Sequence, residues 1–227
     1  MMRAWENRPD TTVCDEPLYA HYLQETGVAH PGRDEVIASQ STDWHEVVAW
    51  LTGPVPGGKE IFYQKHMAHH MLPHIDREWL SRVTNVFLIR DPREMLTSLL
   101  AVTPRAGLDD TGLPQQWEMF EQMREETGQV PAVIDARDVL EDPRGVLEAL
   151  CAAVGVPFSE EMLAWPPGPR ETDGVWAKHW YAEVERSTGF APYRRKRPPV
   201  PDSHADVLAR CEAYYERLHE QRLRARR

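Results

Sequence analysis

Apolar positions along the chain follow two periods: short apolar or alternating runs, and longer stretches in which apolar residues recur every three to four positions. The short runs predict strands at TTVCDE (11–16), IFYQKHM (61–67), TNVFLIR (84–90) and PAVIDAR (131–137). The longer stretches predict helices between and after them. DWHEVVAWLTG has Asp43 as N-cap, Glu46 as capping-box partner and Gly53 as stop. Asp91 and Pro92 open REMLTSLLAV, while Asp142 and Pro143 open RGVLEALCAAVG, which ends on Gly155. PQQWEMFEQMREETG (114–128) and the run 204–227 are amphipathic helices. Alternation of this kind predicts an α/β fold, a parallel sheet flanked by helices on both faces, in a single domain over 1–227.

Two segments stand outside this pattern. Residues 157–201 crowd Pro, Gly and Trp together without a sustained period, and so long a loop is either functional or disordered. The opening MMRAWENR reads as the second half of a helix with no cap and no strand before it, so the expectation is that an N-terminal strand is missing.

Composition narrows the class. With 227 residues, 41% of them hydrophobic, the chain can bury a core without disulfide or structural metal, and a disordered chain is excluded. No apolar run approaches the roughly 18 residues of a membrane span. The N-terminus also lacks a signal peptide's hydrophobic core, so a cytoplasmic protein with no membrane partner is expected. Cys14, Cys151 and Cys211 are odd in number and far apart, and read as small core residues. Net charge is −10, yet in 194–227 Lys and Arg outnumber Asp and Glu ten to five. That basic stretch reads as a solvated helix end, and no extended basic surface for nucleic acid is expected.

Four clusters carry candidate chemistry. In FLIRDPREMLTSLL, Arg90 ends a strand beside a helix N-terminus, where free N–H groups and the dipole favour an anion. Ser98, four residues after Glu94, faces the same side, so the pair suits a phosphate; the alternative is a salt bridge from Arg90 to Asp91 or Glu94. In IFYQKHMAHHMLPH, Lys65 offers a point charge for a transferring anionic group, and His66 offers a general base. His66, His70 and His74 would make a metal stripe only on a helix, and no metal is expected. Asp15 and Glu16, ending the first strand, either supply a base in the same crevice or cap a helix. PGPRETDGVWAKHWY gathers Arg170, Gly174, Trp176, Lys178, His179 and Trp180, which suits either a nucleotide lid or an aromatic anchor for a loop. GPVPGGKE matches G-x-x-x-x-G-K, but Glu60 replaces the magnesium-binding hydroxyl and the helix precedes the strand, so it reads as a turn.

The segments ENRPDTTVCDEPLYAHYL, FLIRDPREMLTSLL, ARDVLEDPRGVLEALCAAVGVPF, GVWAKHWY and STGF together resemble the P-loop sulfotransferases that use 3′-phosphoadenosine 5′-phosphosulfate (PAPS). More narrowly, they are similar to a bacterial branch sometimes labelled branched-chain aminotransferase-like. The resemblance implies a P-loop nucleotide hydrolase-like fold, with PAPS as co-substrate. It also implies in-line transfer of a sulfuryl group to the hydroxyl or amine of a small-molecule acceptor. Arg90 and Ser98 would hold the 3′-phosphate, and Arg170, Gly174 and Trp176 would close over that phosphate and the adenine. Lys65 would stabilise the transferring group. Members carry Lys-x-His, but His66 stands one place early and some branches use a carboxylate, so the base lies between His66 and Glu16. Members also begin with a strand and a Gly-Pro-Arg type loop that cradles the 5′-phosphosulfate, and MMRAWENRPDT resembles the helix that follows it. Weak PAPS binding and little turnover are therefore expected of this chain. The alternatives are an inactive, non-catalytic remnant of the fold or an ATP-dependent phosphotransferase.

Overall fold

The computed structural model describes residues 1–195 and 199–225. Its first half runs α1 (Met2–Glu6), β1 (Thr11–Asp15), α2 (Tyr19–Thr26), α3 (Arg33–Ser39), α4 (Trp44–Leu51), β2 (Ile61–Lys65), β3 (Val86–Ile89) and α5 (Pro92–Leu100). It continues with α6 (Leu113–Thr127), β4 (Ala132–Asp135), α7 (Ala136–Glu141), α8 (Pro143–Val154), α9 (Ala177–Trp180), α10 (Ala182–Arg186) and α11 (Ala205–Glu220). The chain divides into two compact units, the first made of 1–79 with 159–190 and the second of 80–158 with the described part of 191–227.

In the first unit β1 and β2 run parallel, with Thr11 beside Ile61 and, at the far end, Asp15 beside Lys65. The crossover between them carries α2, α3 and α4, as a parallel pair requires. Successive side chains of β2 point to opposite faces. Tyr63 meets α1 through Trp5, whose ring stacks on it at 5.5 Å. On the other face Trp50 of α4 lies edge-on to Phe62 at 5.1 Å, and Gln64 Nε2 donates to the Leu51 carbonyl at 2.8 Å. The return segment is tied to α1: Asn7 Nδ2 donates to the carbonyls of Glu161 and Ala164, and buried Arg3 pairs with Asp173 at 2.7 Å.

In the second unit β3 and β4 are parallel, from Val86 beside Ala132 to Ile89 beside Asp135. Phe87 of β3 packs edge-on against Phe120 of α6 at 5.8 Å. Asp91 caps α5 by accepting from the Arg93 and Glu94 amides, and Asp142 caps α8 by accepting from Gly145. Gly155 closes α8 at φ 77°, a left-handed conformation that glycine adopts without strain.

The α/β class holds, with parallel strands and helices, and with helices on both faces of β1 and β2. Among the described residues, however, the strands bond two by two, β1 to β2 and β3 to β4, rather than as one sheet. Three local expectations are corrected. Asp43 caps α4 by accepting from His45 N, but Glu46 accepts from Ser41 Oγ at 2.8 Å instead of closing a capping box. α11 stops at Glu220, and the chain beyond it joins β4: Leu223 N donates to Val133 O at 2.8 Å and Arg222 Nε to Asp138 at 2.8 Å. The basic stretch is thus partly docked rather than a solvated helix end, while Lys196, Arg197, Arg226 and Arg227 lie outside the described residues. Residues 157–201 hold two short helices, α9 and α10, and Pro198 there is also outside the described residues.

Cys151 and Cys211 are buried, Cys14 is half-buried, and all three are free thiols. Gly57 and Gly58, at φ 68° and 64°, make the GPVPGGKE segment a turn. No helix among the described residues is long and apolar enough to cross a membrane.

Candidate active site

The register that sets Asp15 beside Lys65 builds a charge cluster at the carboxyl ends of β1 and β2, where parallel strands collect chemistry. Lys65 Nζ donates to Asp15 Oδ1 at 3.0 Å, to Glu16 Oε1 at 2.6 Å and to Tyr181 Oη at 2.6 Å, so its three protons are all engaged. Tyr181 in turn donates to Asp15 Oδ2 at 2.6 Å. Burial disfavours the ammonium, yet Glu16 and Asp15 more than offset it and raise the Lys65 pKa above the ordinary lysine value. Burial raises Glu16 above the usual carboxylate range against the pull of Lys65, with repulsion from Asp15 adding to it.

Glu16 reaches Lys65 from a backbone that only a closed network holds. Its φ of 44° is the one positive value outside glycine among the described residues, a conformation costly for a side chain with a Cβ. Its amide donates to Lys65 O at 2.8 Å, and its carbonyl accepts from Tyr19 N and from Gln40 Nε2. Glu16 therefore continues the β1 ladder while turning its carboxylate back onto the Lys65 ammonium. The alternative role as a helix cap is not what it adopts, since α2 has no side-chain cap.

His66 is not brought to this cluster. It follows Lys65 just past the end of β2 and turns to Gln64 instead, its Nε2 3.4 Å from Gln64 Oε1 and its ring 5.7 Å from Trp79. Burial lowers its pKa to about 4, so it is neutral and weakly basic at neutral pH. The histidine stripe does not form either, because Ala68–His70 is a single 3-10 turn. His70 instead stacks between Tyr19 and Tyr22, at 4.7 and 4.6 Å, and His74 meets His21 at 2.8 Å. Among the described residues no group of three or more His, Cys, Asp or Glu side chains is arranged to hold a metal.

Arg90 and Ser98 belong to the second unit. Arg90, 43% exposed, makes a 3.4 Å contact to Glu94, the salt-bridge alternative read from the spacing. It also lines a cavity of about 360 Å³ together with Glu94, Arg137, Leu140, Tyr193 and Arg194. Glu94 is the hub, since it also accepts from Tyr193 Oη at 2.9 Å, and the Arg137 guanidinium lies 5.3 Å over the Tyr193 ring. Ser98 is exposed one turn further along α5 and does not line the cavity.

The 170–176 segment belongs to the first unit. Arg170 Nη2 reaches the Pro166 carbonyl at 3.3 Å, and its amide donates to Asp173. Trp176 is 2% exposed and packs with Tyr19, Leu23 and Val36, edge-on to the Tyr19 ring at 5.2 Å. Its face is therefore spent on the core. Gly174 is glycine because a Cβ there would lie 2.1 Å from the Trp176 ring. Of the aromatic-anchor and nucleotide-lid alternatives, these contacts are those of the anchor. Tyr181, five residues beyond Trp176, was not singled out by the sequence. Its partner Lys65 is 116 residues away, and no local spacing marks it.

The sulfotransferase domain family model matches residues 1–222. The branched-chain-amino-acid aminotransferase-like proteins 1 and 2 of Arabidopsis thaliana are 37% and 33% identical over 218 residues, 96% of this chain. The chain spans only 39% and 38% of those relatives' lengths. A sulfotransferase domain from the curacin biosynthetic pathway aligns over 86% of this chain and 78% of its own, at 12% identity and a TM-score of 0.38. On the strength of the family match, which runs from the first residue through both units, this chain belongs to the sulfotransferase domain family.

Proposed function

We propose that this chain is a sulfotransferase that takes a sulfuryl group from PAPS and passes it to a hydroxyl or amine of a small-molecule acceptor. The observation that carries this reading is the Lys65 ammonium at the strand ends, held by Glu16 at 2.6 Å and Asp15 at 3.0 Å. A fixed cation beside a carboxylate of raised pKa supplies the two things the transfer needs. Lys65 neutralises charge on the sulfuryl oxygens as the transferring group passes in line between donor and acceptor. Glu16 takes the proton that the acceptor loses, its raised pKa bringing it nearer the working pH of a general base. The acceptor oxygen or nitrogen forms its bond to sulfur as the bond from sulfur to the 5′-phosphate oxygen breaks, and that electron pair leaves on the phosphate. Between the two candidate bases, the contact to Lys65 favours Glu16 and the low basicity of His66 disfavours it.

The donor's 3′-phosphate is assigned to the second unit. Arg90, with Arg137 and Arg194 lining the same cavity, gives a donor set of guanidinium groups that fits a phosphate. Ser98 is proposed to add a hydroxyl to that phosphate, and Arg170 a further charge on the nucleotide. Gly174 and Trp176 contribute by holding the 170–181 segment in place, because the Trp176 face is occupied by the core.

Calorimetric titration with 3′,5′-phosphoadenosine and with ATP, carried to millimolar nucleotide, tests the reading. Preference for 3′,5′-phosphoadenosine over ATP is the expected result, and clear sulfuryl transfer from PAPS to alcohols or amines, read by mass spectrometry, would overturn the expectation of little turnover. Preference for ATP would make the chain a phosphotransferase, and binding of neither would make it a non-catalytic member of the family.

A further inference from the structure

Lys65 has no free proton in this structure. An ammonium carries three donors, and all three are engaged, two by carboxylates and one by a phenol. A ligand oxygen can bind Lys65 only by replacing one of these partners. The partners are not equivalent. The Asp15 side chain is 1% exposed and lies on the strand next to Lys65, where losing the ammonium would leave a buried carboxylate unpaired. Glu16 is 11% exposed and its backbone is clamped by Lys65, Tyr19 and Gln40. Tyr181 is neutral and sits at the junction of two short helices, α9 and α10, rather than on the strands. Its hydroxyl also donates to Asp15 Oδ2, a bond it keeps when the one from Lys65 is given up. It is therefore the partner that leaves at least cost.

Resting on the reading of Lys65 as the sulfuryl-binding cation, we infer that the Tyr181 hydroxyl occupies the position on Lys65 that a sulfuryl oxygen of the donor takes, and that donor binding exchanges one for the other. Tyr181 thus holds Lys65 aimed and charged in the free protein and competes with the donor for it. The exchange is a hydrogen-bond substitution: Lys65 Nζ–H transfers from Oη to a sulfuryl oxygen, no covalent bond changes, and Tyr181 keeps its proton on Asp15. Burial raises the Tyr181 pKa, in keeping with a phenol that stays neutral throughout.

The test compares PAPS with 3′,5′-phosphoadenosine, which lacks the sulfuryl group, in the unmodified chain, Tyr181→Phe and Lys65→Met. Phenylalanine keeps the ring that packs against the core cluster containing Tyr19 and Trp176 and removes only the hydroxyl. Tyr181→Phe is expected to raise the ratio of PAPS affinity to 3′,5′-phosphoadenosine affinity by on the order of ten-fold, the worth of a hydrogen bond to a charged group. Lys65→Met should bring that ratio close to one. An unchanged or lower ratio in Tyr181→Phe, with both nucleotides binding and the ratio still dependent on Lys65, would overturn the exchange and leave the sulfotransferase reading intact. Failure of either nucleotide to bind any folded variant would overturn the reading, and the exchange with it.

Discussion

The two units present positive charge in opposite ways. In the first, Lys65 is 28% exposed and locked by two carboxylates and a phenol, with partners 1% and 11% exposed. In the second, Arg90 is 43% exposed and holds one 3.4 Å contact to Glu94 beside an open cavity shared with Arg137 and Arg194. A group that must act on charge developing during a reaction gains from being fixed beforehand, because no reorganisation is left for the reacting moment. A group that only binds a standing anion must be reachable from solvent, and it meets its desolvation cost when the ligand arrives. The contrast is between a fixed cation in the first unit and a solvent-reachable one in the second.

The largest expected effect tests the locked side of that contrast. Lys65→Met leaves Asp15 and Glu16 buried without their counter-charge, and should cost about 3 kcal/mol of stability, the lower end for breaking a buried pair because Lys65 retains some solvent. Arg90→Ala removes an exposed contact and should cost under about 1 kcal/mol. Urea unfolding of both variants reads the difference, and equal losses would erase the distinction between the units.

The next effect tests the open side. Arg90→Ala should weaken 3′,5′-phosphoadenosine binding by about 1.5 to 3 kcal/mol, the worth of a charge-assisted contact to phosphate. Calorimetry on the unmodified chain and the variant measures it, and unchanged affinity would remove Arg90 from the anchor.

Much of this architecture was legible locally. The four strands lie inside the ranges read from their apolar runs, and the Asp91-Pro92 and Asp142-Pro143 starts are chemistry written within four residues of each helix. The site was legible only in part, for three physical reasons. The side His66 takes depends on where β2 ends: the strand stops at Lys65, and the next residue turns to Gln64, away from the Lys65 ammonium. Trp176 offers the same flat ring to a core or to a base, and only its burial decides. Tyr181 reaches Lys65 across 116 residues, and Arg137 meets the Tyr193 ring across a long stretch of chain, which no spacing rule encodes.

A smaller effect reads the buried histidines of the first unit by pH. Burial lowers His66 to about 4, and burial with nearby charges lowers His70 well below its ordinary value, so both are neutral in the folded first unit. The unfolded chain binds these protons near pH 6.5 and the folded chain does not. Stability therefore rises with pH from about 4 to 6.5 and levels off above, and acid removes it. His66→Gln should flatten part of that slope in urea midpoints taken from pH 4.5 to 7.5. A slope unaltered by the substitution would show that the histidine faces of the first unit are wetter than their packing implies.

The smallest expected effect is also the most selective. Ser98 is exposed on α5, one turn beyond Glu94 and outside the cavity lining, and among the described residues no hydrogen bond uses its hydroxyl. Ser98→Ala should leave stability within about 0.5 kcal/mol, as surface changes do. If the second unit anchors a phosphate through Arg90 and the α5 face, the same change should weaken 3′,5′-phosphoadenosine by about 0.5 to 1.5 kcal/mol, one neutral hydrogen bond. A loss of affinity without a loss of stability is a signature that only a ligand contact produces. No change in affinity, alongside a clear effect of Arg90→Ala, would confine the anchor to the arginine-lined cavity and take α5 beyond Glu94 out of it.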